Sequence, residues 1–396
     1  MGLNIETIEI FLLVAAIVAM LARRVHVPYS VGLVLAGIAL ALLPFSADIA
    51  LTKQLIFSAF LPPLIFEAAF QLRWRELKPQ LPVVLTFATA GVLLSAAATT
   101  LGMHYLAHWS WPAASVFGAL IAATDPVAVI AMFKDSQVRG RIRLLVEAES
   151  LFNDATAAVA FTIALVIVSG RSVSAGGVAS TLLLILAGSI LCGVSVAAVV
   201  LLLAGGTDDH LIEITFTTVA AFGSFLLAEH FQLSGVLATL TAGLIIGNVG
   251  HLSLSAKSRE AVGEFWEYAA FVTNSLIFLL IGLRVAHRDY SFVLLPVLIA
   301  IIVVMLGRAV AIYPLALLFS RSRLRVTGRH QHILFWGGLR GALALALALG
   351  LPPDMPAREE IITVAFAVVA FSLFVQGMTI TPFMRRLGEL PSSGKN

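Results

Sequence analysis

Two stretches carry acidic residues where the surrounding chain is apolar: "LIAATDPVAVIAMF", with Asp125, and "VEAESLFNDATAAVAF", with Glu147, Glu149 and Asp154. Ser150 and Asp154 are four residues apart, as are Glu149 and Asn153. On a helix each pair shares a stripe, and the two stripes adjoin. A hydroxyl and a carboxylate therefore lie beside a second carboxylate and an amide. The helix macrodipole accounts for Glu147 as an acidic helix start. It accounts less well for Glu149 and poorly for Asp154, which lies about 1.5 turns further in.

Asp125 stands between Thr124 and Pro126. Proline lacks an N–H and disfavours helical geometry in the residue before it, so a helix should be interrupted here, leaving bare carbonyls beside a carboxylate and a hydroxyl. Asp125 can serve its own backbone as the cap of a second half-helix, or help to hold an ion. The cost of a carboxylate in such a setting favours the functional role. Glu67, in "FLPPLIFEAAF", is a third acidic residue in an apolar stretch. Arg340, in "FWGGLRGALALALAL", is flanked by Gly337, Gly338 and Gly341. Its permanent charge must find a carboxylate or carbonyls, and Glu149 is the natural candidate. The glycines suit either close helix packing or a second break.

The elements that position these residues belong to a membrane. With 60% hydrophobic and 12% charged residues over 396, the chain is far more apolar than a soluble domain, where charged residues run near about 25%. Apolar stretches centre on 7–22, 29–44, 54–70, 81–106, 113–133, 148–169, 176–204, 210–230, 233–249, 264–284, 290–319, 331–350 and 360–383, thirteen in all. Each approaches the roughly 20 residues needed to cross about 30 Å of hydrocarbon. Under this count eighteen of the 25 Lys and Arg residues fall on one side, five on the other and two, Arg308 and Arg340, inside spans. The positive-inside rule then places the N-terminus outside and the C-terminus in the cytoplasm of a cell (inner) membrane. The first stretch lacks the flanks of a secretory signal. No soluble domain is expected beyond the short tail at 387–396.

The interrupted segments are the fifth and twelfth, seven apart. An odd offset inverts orientation, so the fold class expected is an all-α polytopic membrane protein of about thirteen transmembrane helices, arranged as two inverted six-helix repeats with discontinuous helices 5 and 12. Such a pair is the mark of a secondary transporter with its site near the midplane. No Walker-type loop supports ATP hydrolysis. Cys192, the single cysteine, reads as a core residue, and the charge pattern implies no nucleic-acid partner.

Taken together and in this order, "VPYSVGLVLAGIAL", "FLPPLIFEAAF", "GALIAATDPVAVIAMF", "EAESLFNDATAAVAF", "FWEYAAFVTNSLIFLLIGL" and "FWGGLRGALALALAL" resemble the monovalent cation:proton antiporter-1 family, the NhaP-type sodium/proton antiporters. The resemblance covers nearly the whole chain. It implies exchange of Na+ or Li+ for H+ by a homodimer in the lipid bilayer, with no resident cofactor and no enzymatic activity. It implies that core helices within about 81–169 and 290–386 move against dimerisation or scaffold helices within about 7–70 and 176–284. Its essential carboxylate falls on Asp154. Its cation ligands fall on Asp154, Ser150, Glu67 and the carbonyl of Thr124, with Asp125 acting through water. Asn153 stands where electrogenic relatives carry an aspartate, which implies electroneutral exchange, and Glu149 and Arg340 match an ion pair that steadies the core.

K+/H+ exchange on the same fold remains an alternative, since size selectivity is not legible in residue types. A channel is disfavoured by the repeat arrangement. An intramembrane aspartyl protease lacks its GxGD context and gives Arg340 no role. Among the other polar residues, Arg308 reads as either a snorkelling side chain or, favoured by its depth, a partner within the core, Asn274 as an interhelical hydrogen-bonding group, and Glu213, Glu229 and His230 as interfacial. His26, His104 and His108 are candidates for tuning a pH response.

Overall fold

The computed structural model describes residues 5–25, 28–42, 52–125, 129–130, 133, 140–168, 175–206, 209–250 and 256–389. Pro126, His26 and the tail from 390 onward lie outside the described residues. The main helices are α1 (Ile5–Val25), α2 (Tyr29–Ala41), α3 (Leu61–Gln71), α4 (Val92–Leu106), α5 (Trp111–Ile121), α6 (Arg141–Val168), α7 (Ala175–Ala204) and α8 (His210–His230). They continue with α9 (Gly235–Val249), α10 (Ala256–Ala286), α11 (Leu294–Leu318), α12 (Gly328–Trp336), α13 (Ala342–Leu349), α14 (Arg358–Phe371) and α15 (Met378–Arg386). Among the described residues seven helical stretches are long and apolar enough to cross a membrane, with five shorter apolar helices beside them. This is an all-helical, multi-pass membrane protein.

Between helices in lipid, close packing replaces the hydrophobic drive that operates in water. α2 lies along α10 at the most intimate of these contacts: a methyl on Gly37 would overlap the Leu279 carbonyl, and one on Gly282 the Val34 carbonyl. Tyr29 adds a hydroxyl contact to Ser275 Oγ at 2.6 Å and stacks on Phe271. The interhelical bond expected from Asn274 is thus made by its neighbour. α3 lies along α9, while α7, α8 and α9 pack on one another around Phe66 and Trp266, whose ring centroids are 4.6 Å apart. A second set of contacts joins α4 to α11 and α5, α5 to α6, and α13 and α14 to α5 and to each other. α6 borders the first set through α3 and α9.

Two expectations need correction. α6 begins at Arg141, seven residues before the apolar stretch at 148, because Arg143 and Glu147, one turn apart, pair at 2.6 Å and keep the polar turns helical. Glu147 is therefore a paired residue in the second turn rather than a charge at a helix start. Glu213, expected as an exposed interfacial charge, is fully buried within the chain in the first turn of α8. Glu229 and His230, at the other end of the same helix, are exposed.

Candidate functional site

α5 ends at Ile121, Ala123 to Asp125 are not helical, and helix is present again at Val129 and Ile130. A break in lipid must satisfy its freed backbone groups inside the protein. Here side chains and a second break do so. Arg340 Nη1 donates to the carbonyls of Ala122 and Ala123 at 3.0 and 3.1 Å. Thr124 N donates to Asn153 Oδ1 at 3.1 Å, and Asp125 N donates to the Leu339 carbonyl at 2.7 Å. The Thr124 carbonyl accepts no hydrogen bond among the described residues. Of the three successive carbonyls at the end of α5, those of Ala122 and Ala123 are the two that accept from Arg340.

The second break separates α12 from α13. Gly337 closes α12 through its N–H to Ile333 O at 2.7 Å. Arg340 N donates to Ser372 Oγ at 2.9 Å, and Gln376 Nε2 donates to Trp336 O at 3.1 Å. Both partners come from a π-helical turn, Ser372–Gly377, that follows α14. The two breaks cross so closely that a methyl on Gly341 would overlap the Asp125 carboxyl group, and one on Gly338 would overlap the Arg308 guanidinium. These glycines thus serve close approach.

α6 supplies the side chains that face the crossing. Asn153 is fully buried, and its amide is oriented by three bonds: Nδ2 donates to Thr124 Oγ1 at 2.6 Å and to Glu149 Oε1 at 3.1 Å, while Oδ1 accepts from Thr124 N. Ser150 Oγ lies 3.0 Å from Thr124 Oγ1. The cluster therefore joins Thr124, Ser150, Asn153 and Glu149.

Glu149 does not take Arg340 as its ion-pair partner. It accepts a bidentate pair from Arg308 of α11, Nη1 to Oε1 at 2.7 Å and Nη2 to Oε2 at 2.9 Å, with both side chains below a tenth exposed. Arg308 also donates through Nε and Nη2 to the Leu334 carbonyl at 3.2 and 2.8 Å. The physical reason for the exchange of partners is the break itself. The unwound end of α5 offers Arg340 two carbonyls, whereas Arg308 sits on an unbroken helix and needs the carboxylate.

Asp154 differs from its neighbours. It is partly exposed and makes no hydrogen bond or ion pair to protein among the described residues, and the charged groups that bear on it are Asp125 and Glu149. Glu67 is on α3, which borders α6, and its carboxylate accepts from Gln71 Nε2 one turn along the same helix. Ser372 and Gln376 were not singled out in the sequence. A buried serine after "VAFAVVAF" carries no signal until the partner break is known.

The family model described as "Sodium/hydrogen exchanger, transmembrane" matches residues 11–386. The chain is 38% identical to the Na(+)/H(+) antiporter ApNhaP of Aphanothece halophytica, an alignment covering 97% of this chain and 75% of that one. It is 33% identical to the Na(+)/H(+) antiporter NhaH of Halobacillus dabanensis, covering 98% and 100%. Its fold is like that of the sodium proton antiporter MjNhaP1 from Methanocaldococcus jannaschii, with a TM-score of 0.78 over 98% of each chain at 18% identity.

Proposed function

This chain belongs to the sodium/hydrogen exchanger family and is a Na+/H+ antiporter, and we propose that it works by letting Na+ and a proton compete for the carboxylate of Asp154. The observation that carries this reading is the contrast within the cluster. Glu149, Asn153 and the Thr124 N–H and hydroxyl are committed to one another, whereas the Asp154 carboxylate and the Thr124 carbonyl have no hydrogen-bonding partner among the described residues. Asp154, Thr124 O, Ser150 Oγ and Glu67 then make the oxygen ligands of Na+ or Li+, and Asp125 adds to them through water. One carboxylate holds a proton or a cation but not both. Exchange follows without ATP if only the filled site crosses the membrane.

Asn153 supports an electroneutral cycle. Its Nδ2 serves Glu149 and Thr124 at once, a task an aspartate cannot perform, so the site holds one exchangeable carboxylate rather than two.

The wider architecture belongs to the same proposal. Thirteen spans form two inverted six-helix repeats, with the N-terminus outside and the tail in the cytoplasm. Helices within about 81–169 and 290–386 move as a core past a scaffold at about 7–70 and 176–284 that also forms a homodimer. The two sets of helix contacts described above support the division, and the bonds between the two breaks support a core that moves as one piece. K+ in place of Na+ has no specific observation in its favour.

Asp154→Asn tests the assignment. In proteoliposomes it should reduce Na+-driven proton movement to background while the protein keeps its thermal stability; retained exchange would end the assignment.

A further inference from the structure

Six arginines gather at one end of the molecule with no ion-pair partner among the described residues. Arg321, Arg323 and Arg325 follow α11, Arg329 is in the first turn of α12, and Arg385 and Arg386 end α15; all six are exposed. None of their guanidiniums makes an ion pair or hydrogen bond to protein among the described residues. Glu389 is the one acidic residue in 317–331 and 378–389, and it faces His330 at 3.8 Å.

The patch is built rather than scattered. Arg141, at the start of α6, donates to the carbonyls of Leu324 and Arg325 at 2.6 Å each and to Gln80 Oε1 at 2.8 Å. Gln331 Nε2 donates to Val326 O at 2.9 Å, folding the loop onto α12. α12 in turn packs on α15, where the rings of Trp336 and Phe383 have centroids 5.9 Å apart. The backbone of the arginine loop is thereby held while its side chains point outward.

The depth of the patch identifies its partner. Leu317 and Leu318 are 68% and 69% exposed immediately before the arginines, and Met378 is 50% exposed on α15. In a membrane protein such exposed leucines face acyl chains, so arginines a few residues later stand at the headgroup level. A guanidinium fork there matches a phosphate bidentately.

We propose that the Arg321–Arg323–Arg325 loop and the end of α15 form a binding surface for the phosphate of an anionic phospholipid headgroup. Because Arg141 ties the loop to α6 and α12 leads into the second break, the bound lipid rests on elements that carry the cation site.

The full chain, released from mixed micelles of phosphatidylglycerol and phosphatidylcholine into a native mass spectrometer, should retain phosphatidylglycerol in preference. The triple substitution Arg321→Gln, Arg323→Gln, Arg325→Gln should lower that preference by about tenfold or more, since each basic residue at a membrane surface adds to the attraction of anionic headgroups. Arg73→Gln with Arg75→Gln, at other exposed arginines, should leave it within about twofold, because those residues lie outside the patch. On the unmodified protein, raising salt from about 0.05 to 0.5 M should erode the preference. Equal retention of the two lipids, an undiminished preference in the triple variant, or displacement by inorganic phosphate beyond that by sodium chloride of matched ionic strength would overturn the proposal. The last of these outcomes would assign the patch to free phosphate.

Discussion

Glu149 and Asp154 are five residues apart on one helix, yet their surroundings have little in common. Glu149 is buried, grips Arg308 through both oxygens and takes a third bond from Asn153. Asp154 is partly exposed and has no protein partner among the described residues. A charge held from three directions is part of the frame, because removing any partner leaves an uncompensated ion in a dry place. A charge with no protein partner among the described residues suits, on the proposed mechanism, a ligand that comes and goes. Depth in the membrane marks both residues as unusual, and on that mechanism their partners divide structure from function.

Removing Arg308 tests this division most severely. Arg308→Ala strands the Glu149 carboxylate and frees the Leu334 carbonyl, and should destabilise the protein by about 3–5 kcal/mol. Thermal denaturation in detergent would show it as a large loss of melting temperature. In the same assay Asp154→Asn should leave the melting temperature unchanged or higher, and a comparable fall for both would erase the distinction drawn here.

Gly341→Ala probes the crossing itself. The added methyl collides with the Asp125 carboxyl group, and overpacking of this kind costs about 1–3 kcal/mol. Exchange should fall severalfold or more, with a moderate loss of stability. Unchanged transport would mean that the two breaks need not stay in register.

Asn153→Asp sharpens the comparison from the other side. It replaces a donor to Glu149 with a second carboxylate, at a cost of about 1–3 kcal/mol for the lost and mismatched hydrogen bonds. The account predicts slower exchange that becomes sensitive to an imposed membrane potential, because the site then holds a second exchangeable carboxylate. Exchange that stays insensitive to the potential at full stability would show that residue 153 does not set the stoichiometry.

The sequence made the breaks legible through local chemistry. Pro126 follows Asp125, and three glycines flank Arg340, so interruption could be read from backbone rules alone. The four-residue spacings of Ser150 with Asp154 and Glu149 with Asn153 placed the cluster on one side of α6. The partnership of Arg308 and Glu149 was not legible. Two arginines lie within apolar stretches, and nothing in linear spacing says which helix crosses which; the freed carbonyls of Ala122 and Ala123 decide it, and they exist only once the chain is folded. Ser372 and Gln376 were hidden for the same reason, since their role is to satisfy a break made elsewhere in the chain.

Competition at Asp154 is tested most directly by Na+ kinetics in proteoliposomes with the pH clamped equal on both sides. On the acidic side of its activity range, each pH unit downward should raise the apparent KM for Na+ about tenfold while the maximal rate holds, as linkage of one proton to one site requires. An apparent KM that stays flat while the maximal rate falls would place proton binding somewhere other than the cation site and contradict the mechanism.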